Sequence, residues 1–217
     1  MSIITIATSK GGAGKTTVAA LLAGHVAARG YRVAAIDADY NHSLSDWVRT
    51  FGRYPITIEH EVDETKIIPL AEQLAETHDL LLIDTAGAAT QATVFAIGCA
   101  DMVLIPCQLS SSDVVEAAKT RHLVESAAKL TRQVIPARAI FTDYQPGTVI
   151  ADHVARELES CHVPTLSTKL HRLVAFKEMT FTGDVPSNGT AGTQITTLVD
   201  ELTTLGALPF LAMEIAS

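Results

Sequence analysis

The chain has 217 residues, of which 47% are hydrophobic and 18% charged, and its mean hydropathy is +0.25. This composition buries a core and excludes a globally disordered chain, and the length predicts one compact domain over residues 1–217. The formal net charge of −8 by itself argues against a protein that binds nucleic acid, but the charge is unevenly distributed along the chain.

Strand and helix patterns alternate almost to the end of the chain. The first predicted strand, 3–8, is rich in β-branched residues, and the Ala- and Leu-rich helix 16–29 stops before Gly30. Apolar runs at 79–84 and 101–106 are typical of parallel strands covered by helices on both faces. The other predicted strands are 32–37, 56–59, 137–142 and 165–167, and the other predicted helices are 43–50, 66–77, 90–98, 113–131, 148–160, 172–182 and 190–205. This order predicts a doubly wound α/β fold with a mainly parallel sheet and helices on both faces.

Residues 10–17 read Lys-Gly-Gly-Ala-Gly-Lys-Thr-Thr and connect the first predicted strand to the first predicted helix. This is the end of a P-loop in the context that such a loop requires. Its glycines let backbone N–H groups approach phosphate oxygens, Lys15 reaches the outer phosphates, and the Thr16 hydroxyl joins the shell of a magnesium ion. The predicted nucleotide-binding residues are Gly11, Gly12, Ala13, Gly14, Lys15, Thr16 and Thr17.

Lys10 is a second lysine at the mouth of this loop, which an ordinary P-loop lacks. In an ordinary P-loop, a solvated loop lysine is an equally good interpretation. The spacing K-G-G-x-G-K-T-T, however, resembles the signature of the deviant Walker A ATPases, the superfamily that includes ParA and MinD. The resemblance implies an ATPase in which Lys10 crosses a dimer interface to contact the partner's nucleotide. Lys10 and Lys15 then supply positive charge around the γ-phosphate.

Further segments resemble the same superfamily in chain order. The D-A-D segment at 37–39 resembles its D-x-D segment, which implies that Asp37 joins the magnesium shell and Asp39 positions the attacking water. The run L-L-L-I-D at 80–84, followed by T-A-G, resembles the Walker B strand and its switch loop, which implies that Asp84 holds magnesium through water. Helix capping at a strand end is the alternative role for the 37–39 carboxylates. Many relatives have Pro-Gln where this chain has Tyr40-Asn41, so we expect slow turnover.

The segment L-I-P at 104–106 with Asp113 resembles the strand and helix cap that follow in ParA proteins. The serines at 110–112 are interpreted as helix caps rather than nucleophiles. Trp47, the single tryptophan, follows the expected first switch and is either a core residue or a reporter of switch movement.

The segment K-L-H-R-L-V-A-F-K-E at 169–178 resembles a late basic segment that contributes to ATP-dependent DNA binding in several members. It makes Lys169, Arg172 and Lys177 the candidate DNA contacts. The charge distribution agrees, because residues 113–177 hold 9 Lys and Arg against 7 Asp and Glu, whereas residues 178–217 hold 0 against 5. Secondary candidates are Lys119, Arg121, Lys129 and Arg132. Ordinary solvated surface charge is the alternative interpretation.

The three cysteines, Cys99, Cys107 and Cys161, are odd in number and outside any C-x-x-C spacing, which argues against a disulfide framework and a zinc site. We interpret them as reduced packing residues. The eight histidines include no H-x-x-x-H pair, so magnesium carried by the nucleotide is the one metal expected. Because no apolar run reaches the roughly 18 residues of a membrane span and no signal-peptide pattern is present, we expect a cytoplasmic protein. The resemblance to ParA proteins implies that it associates with the nucleoid when ATP-bound.

The resemblance implies an ATP-dependent dimerising switch for DNA partition or cargo positioning. A Mg-ATP sandwich dimer would bind DNA nonspecifically, and hydrolysis stimulated by a small DNA-binding adaptor would release it. One alternative is a small-molecule P-loop enzyme of the dethiobiotin synthetase type, for which no polar substrate cluster is evident. A MinD-like membrane-associated ATPase would use the apolar stretch 207–215, which lacks the basic face that anionic lipid requires, so we expect no stable membrane association.

Two further members of the superfamily are less compatible with the sequence. A bacterial tyrosine kinase domain ends in a tyrosine-rich tail, and residues 178–217 contain no tyrosine. An electron carrier like the nitrogenase iron protein needs two cluster cysteines in matching loops, and Cys99 and Cys107 do not have that placement.

Overall fold

The computed structural model describes residues 1–215, in which seven parallel strands form one sheet of order β3-β2-β4-β1-β5-β6-β7. The strands are β1 Ser2–Ile6, β2 Val33–Ala38, β3 Ile56–His60, β4 Leu80–Thr85, β5 Met102–Cys107, β6 Ala137–Tyr144 and β7 Thr165–His171. The helices are α1 Lys15–Ala28, α2 Ser43–Phe51, α3 Glu64–Ala75, α4 Gln91–Gly98, α5 Ser111–Thr131, α6 Val149–Ser160, α7 Val174–Thr182, α8 Gly189–Thr204 and α9 Pro209–Ile215. The doubly wound α/β prediction is confirmed.

Helices cover both faces of the sheet because alternate side chains of each central strand point to opposite faces. On β4, Leu80 and Leu82 pack into the cluster that contains α1 and α8, whereas Leu81 and Ile83 pack against α3 and α4. A third cluster joins β5 and β6 to α5 and α6. Every residue of β2, β4 and β5 is buried, as their continuous apolar sequences predict.

Strand β7 is longer than the sequence predicts, since it runs to His171 rather than stopping at residue 167. Leu166, Thr168 and Leu170 point inward, while the residues between them are more exposed, which is the alternation of an edge strand covered on one face. The sequence did not indicate the full strand, because polar residues such as Thr168 also occupy inward-facing positions. Lys169 therefore lies on a strand.

The apolar C-terminal stretch forms helix α9, whose Leu211 is buried in the core cluster beside α1 and α8. The Phe210 ring lies 5.0 Å from the Tyr31 ring, centroid to centroid. No helix within residues 1–215 combines the length and the apolar character that a membrane span needs.

The cysteine prediction is only partly correct. All three cysteines are free, and Cys107 is buried in β5, where burial raises the pKa of its thiol to about 12. Cys99 is half-buried, and burial raises its pKa to about 11. Cys161 is exposed, because it is the C-cap residue of α6 and points away from the core. Cys161 is therefore not a packing residue.

Candidate active site

The P-loop runs from β1 to α1 and ends in a helix start without a side-chain cap. Gly14 is the N-cap of α1 and has a left-handed backbone with φ +97°, a conformation that glycine adopts without strain. The first N–H groups of α1 therefore receive no side-chain acceptor from the N-cap residue. Uncapped N–H groups at a helix N-terminus form a favourable anion site, so the loop is suited to phosphate.

Two residues from other strands support this loop. The Thr142 hydroxyl near the end of β6 donates to the Ala13 carbonyl at 2.7 Å. The Gln108 amide, just after β5, donates to the Gly12 carbonyl at 3.0 Å. Neither residue was predicted from the sequence. The carboxyl-end position of β5 and β6 in a parallel sheet, where ligands bind, is the signal that would have found them.

Lys15 is buried, and its ammonium group donates to the Lys10 carbonyl at 3.2 Å. Burial lowers the pKa of Lys15, and the nearby carboxylates of Asp84 and Asp39 oppose that effect. The ammonium group therefore lies against the loop's own backbone, where a phosphate oxygen would compete for its protons.

Asp84 and Thr16 form the group best suited to a magnesium ion. The Thr16 hydroxyl donates to Asp84 Oδ2 at 2.7 Å, while Asp84 Oδ1 is buried and has no hydrogen-bond partner among residues 1–215. Burial raises the pKa of Asp84 to about 7, assisted by the nearby Asp37 carboxylate and opposed by the Thr16 hydrogen bond. An unpartnered carboxylate oxygen beside a hydroxyl is the oxygen-donor set that Mg²⁺ prefers, so these residues fit the ion.

Asp37 is fully buried at the end of β2, and each of its carboxylate oxygens accepts a backbone N–H group. Asp39 N–H donates to Oδ1 at 3.2 Å, and Ser45 N–H, in the first turn of α2, donates to Oδ2 at 2.8 Å. Asp37 is also the register partner of Asp84 across β2 and β4. The contacts of Asp37 therefore connect the end of β2 to the start of α2, and each oxygen retains a second lone pair.

The Asp39 carboxylate closes a short turn at the rim of the site. Its Oδ1 accepts the Asn41 backbone N–H at 3.0 Å and the Asn41 side-chain amide at 2.9 Å. The Asp39 carbonyl lies 3.2 Å from His60 Nε2 on β3, and the His60 ring contacts the His42 ring in a tilted arrangement with centroids 3.7 Å apart. Asn41, one of the two residues that depart from the Pro-Gln pattern, thus directly sets the orientation of Asp39.

The loop after β4 touches the P-loop at Gly87. A Cβ atom added there would lie 3.1 Å from the Cα and the N of Gly11, closer than nine in ten real contacts. Only glycine allows this approach without a shift of the P-loop. The two loops that surround the phosphate site are therefore in direct backbone contact.

Lys10 is held within its own subunit. Its ammonium group donates to Asp113 Oδ2 at 2.5 Å and to the hydroxyls of Ser112 at 3.1 Å and Ser110 at 3.3 Å. The Asp113 side chain is 1% exposed and the Lys10 side chain 30%. Ser110 caps α5 by accepting Asp113 N–H, so the interpretation of these serines as caps is correct for Ser110, whereas Ser111 and Ser112 are the first two residues of the helix. Asp113 lies in the first turn of α5 rather than at its cap position.

Two cavities flank the P-loop. The larger, about 970 Å³, is lined by Lys15, Thr16, Asp39, Tyr40 and Trp47 among others. The smaller, about 400 Å³, lies on the side of β6 and β7 and shares Gly12, Gly14, Thr17 and Thr180 with the first. A ligand bound along the loop therefore has space on both sides of it.

The three candidate DNA contacts, Lys169, Arg172 and Lys177, differ in their surroundings. Lys169 is half-buried, and its ammonium group lies 4.6 Å from the centroid of the Tyr144 ring and 3.3 Å from the Tyr144 hydroxyl. Arg172 forms an ion pair with Asp143 at 2.5 Å. Lys177 is exposed on α7 and lines the smaller cavity.

The secondary candidates lie on or just after α5. Lys119 pairs with Glu116 at 2.8 Å, and Arg121 pairs with Glu125 at 3.4 Å. Lys129 is exposed in the last turn of this helix, and Arg132 is exposed just after it.

The geometry and the sequence point to the same group of proteins. A family model described as VirC1 protein matches residues 1–205. The chain belongs to the VirC1 family. It is 29% identical over 187 residues to the VirC1 protein of Rhizobium radiobacter, and this match covers 82% of the chain and 80% of that protein. With this family it belongs to the ParA/MinD superfamily of P-loop ATPases, as predicted.

A ParA protein of Rhizobium radiobacter is 32% identical over 148 residues, which cover 67% of this chain and 66% of that protein, just under two thirds of its length. The ATP complex of McdA from Cyanothece has the same fold, with a TM-score of 0.76, 18% sequence identity, and coverage of 95% of this chain and 96% of that one.

Proposed function

We propose that this protein is an ATP-dependent dimerising switch, acting in DNA partition or in the positioning of a cargo. The observation that carries the proposal is the convergence of Lys15, Thr16 and Asp39 on one cavity of about 970 Å³ at the end of the P-loop. Phosphoryl transfer to water depends on positioning and charge stabilisation, and these side chains are the types it needs. Membership of an ATPase superfamily supports the same reaction.

In this proposal the triphosphate of ATP lies along residues 11–17, with Lys15 neutralising the outer phosphates. Thr16, Asp84 and Asp37 would hold a magnesium ion, which when bound neutralises charge on the phosphate oxygens. Asp39 accepts hydrogen bonds through one carboxylate oxygen from Asn41, and its other oxygen remains to orient a water molecule. The nucleoside occupies the smaller cavity, whose apolar wall suits a planar base.

Dimerisation rests on Lys10. The Lys10 ammonium group is bound to Asp113 in the free subunit, so it must leave that carboxylate before it can contact a partner's nucleotide. The gain from a triphosphate, with more negative charge than one carboxylate, would offset the loss of the ion pair. Because the proposed contact of Lys10 is with the γ-phosphate, which ADP lacks, dimerisation would require ATP.

DNA binding rests on the positive segment 113–177, which the dimer brings together in two copies. Contacts to phosphate alone give no sequence preference, so a separate DNA-binding adaptor would select the cargo and stimulate hydrolysis. The protein would therefore be the ATP-dependent component of a system that includes at least one partner protein.

The deciding experiment measures binding to a labelled duplex of mixed sequence with ATP and magnesium, with ADP and magnesium, and without nucleotide. At physiological salt, tight binding is expected only with ATP, at a protein concentration at which light scattering detects the dimer. Lys15→Ala is the control, because it should lose ATP and therefore DNA. If the parent protein hydrolyses ATP but binds no duplex in any state, the DNA-binding part of the proposal is wrong.

A further inference from the structure

Arg172, one of the candidate phosphate contacts, is already bound to a carboxylate. Its Nε lies 2.9 Å from Asp143 Oδ1, and its Nη2 lies 2.5 Å from Asp143 Oδ2. A guanidinium offers the same two parallel hydrogen bonds to a DNA phosphate. Asp143 therefore occupies the donors that a phosphate would need.

Asp143 also borders the nucleotide site. It follows Thr142, whose hydroxyl holds the P-loop carbonyl of Ala13, and it lines the smaller cavity together with Gly12 and Gly14. Its backbone is left-handed, with φ +53°, a conformation that Asp and Asn tolerate better than most residues. One carboxylate is thus in contact with Arg172 and beside the space proposed for the nucleoside.

Of the three candidate DNA contacts, Arg172 is the one that the ion pair with Asp143 holds. Lys169 is held by the hydroxyl and ring of Tyr144. Lys177 is exposed on α7. The Arg172 side chain is 58% exposed and that of Asp143 is 30% exposed, so the guanidinium can turn outward without crossing the core.

We propose that Asp143 masks Arg172 from DNA phosphates until a nucleoside occupies the smaller cavity. The proposal rests on the DNA binding proposed above and specifies how that binding is regulated. The hydroxyl and amino groups of a nucleoside are hydrogen-bond donors, and an ionised carboxylate only accepts. A nucleoside beside Asp143 therefore competes with Arg172 for the same oxygens and frees the guanidinium for duplex DNA.

The first test uses Asp143→Asn, which keeps the size and the tolerance of a left-handed backbone but removes the charge. Fluorescence anisotropy with a fluorescein-labelled duplex of mixed sequence measures affinity without nucleotide at low salt. The variant should bind about two- to fivefold more tightly than the parent, the range that an exposed ion pair masks. Its log-log salt slope should steepen by about 0.9, since one further phosphate is neutralised.

Asp79→Asn is the matched control. Asp79 holds Arg32 in a similar ion pair with two hydrogen bonds, at 2.7 Å and 3.1 Å. This pair lies at the amino ends of β2 and β4, whereas Asp143 and Arg172 lie at the carboxyl ends of their strands. The control variant should match the parent in affinity and slope. An equal gain in both variants would assign the effect to net charge and overturn the proposal. The double variant Asp143→Asn with Arg172→Ala should lose the gain, and a gain that persists there would also overturn it.

The second test repeats the comparison with ADP and magnesium, which supply the nucleoside without a γ-phosphate. The affinity ratio of Asp143→Asn to the parent should fall from about two- to fivefold to about one. An unchanged ratio would show that the nucleoside does not release Arg172. If the parent binds DNA with ATP but equals Asp143→Asn without nucleotide, the masking is wrong while the proposed function stands. A parent that binds no DNA with ATP contradicts the proposed function itself.

Discussion

Lys15 and Lys10 belong to one loop, but their ammonium groups have different partners. Lys15 is buried against the Lys10 carbonyl, whereas the Lys10 side chain reaches Asp113 on another element. A buried cation beside the predicted phosphate site is suited to a role within its own subunit. A partly exposed cation that is paired with a carboxylate can leave that carboxylate to contact a second subunit.

We expect the alanine variants of these lysines to fail differently. Lys15→Ala should lower ATP affinity by about ten- to a hundredfold, because it removes charged hydrogen bonds to phosphate. Lys10→Ala should bind ATP as a monomer but lose ATP-driven dimerisation and hydrolysis. Isothermal titration and light scattering measure the two properties. Dimerisation of Lys10→Ala with ATP at the parent's level would contradict a role for Lys10 across the interface.

Asp39 should affect turnover more than binding. It lines the larger cavity, and its carboxylate accepts hydrogen bonds from Asn41 rather than from Lys15. Asp39→Ala should lower kcat about a hundredfold or more with little change in KM, and it should accumulate the ATP-bound dimer. Steady-state phosphate release with size-exclusion chromatography tests both effects. Hydrolysis at the parent's rate would move the catalytic assignment elsewhere, with Asp37 the next candidate.

At the scale of elements, α2 and α7 are connected beside the larger cavity. The Trp47 indole N–H on α2 donates to the Met179 carbonyl on α7 at 3.0 Å, and Trp47 is 9% exposed. Trp47 thus packs in the core, as one interpretation held, and also lines the cavity that contains Asp39. Movement of the loop at Asp39 should therefore reach α2.

Trp47 should report that movement by fluorescence. ATP with magnesium should change the emission of this single tryptophan, because a γ-phosphate orders switch loops and shifts their flanks, and ADP should not reproduce the change. Lys15→Ala provides the control, since it should show no response to ATP. Identical spectra with ATP and ADP would remove the evidence that this segment is a switch.

Helix α8 is fastened to β7 by one carboxylate. Glu201 accepts the backbone N–H groups of Ser167 at 2.7 Å and Thr168 at 2.8 Å. Burial alone would raise the pKa of Glu201, but the hydrogen bonds from Thr168 and Ser167 outweigh it, and the pKa is lowered. A lowered pKa means that the ionised form stabilises the fold. This stability is present above the unfolded value of about 4.3 and is lost as the pH falls through the folded value.

Glu201→Gln should therefore lower the free energy of unfolding by about 1 kcal/mol at neutral pH, because the two N–H groups bind different carboxylate oxygens and one of these becomes an NH2 donor. The difference from the parent should shrink as the pH falls below the unfolded value of about 4.3 and through the lowered pKa of Glu201. Urea unfolding over a series of pH values from neutral downward measures it. Glu159→Gln, an exposed change on α6, should follow the parent throughout. A loss that is independent of pH would exclude the charge as its cause.

The contrast between the P-loop and β7 explains what the sequence could predict. The P-loop motif at 10–17 is contiguous in sequence, and the continuous apolar strands carry an equally local signal, so the sequence predicted the position of the loop between β1 and α1 and the central strands. Gln108, Thr142 and Asp143 approach the loop from β5 and β6, about a hundred residues away in sequence, and no local pattern marks them. The full length of β7 was not predicted for a related reason, since polar residues such as Thr168 occupy some of its inward-facing positions.

At the scale of the whole molecule, the negative net charge opposes the proposed binding of DNA. A net charge of −8 repels phosphate at long range, so one subunit should bind duplex weakly. The charge is unevenly placed, because residues 178–217 hold five acidic and no basic residues. Lys177 lines the smaller cavity, and Arg172 is bound to Asp143, which lines it too. A dimer would bring together two copies of Arg172 and Lys177 and would so double the positive charge that they supply.

This distribution predicts which cations carry ATP-dependent DNA binding. Arg172→Ala and Lys177→Ala should each weaken binding to every duplex alike and flatten the log-log salt slope by about 0.9, because one phosphate fewer is neutralised in each variant. Lys169→Ala should have a smaller effect, since its ammonium group is already bound to Tyr144.

Lys66→Ala is the matched control, an exposed lysine on α3 paired with Asp63 at 3.5 Å and outside the positive segment. Basal ATP hydrolysis should stay close to the parent's for Lys66→Ala. Unchanged affinity and slope after replacing Lys169, Arg172 and Lys177 together would show that DNA binds another surface, because phosphate contacts cannot be removed without a change in salt dependence.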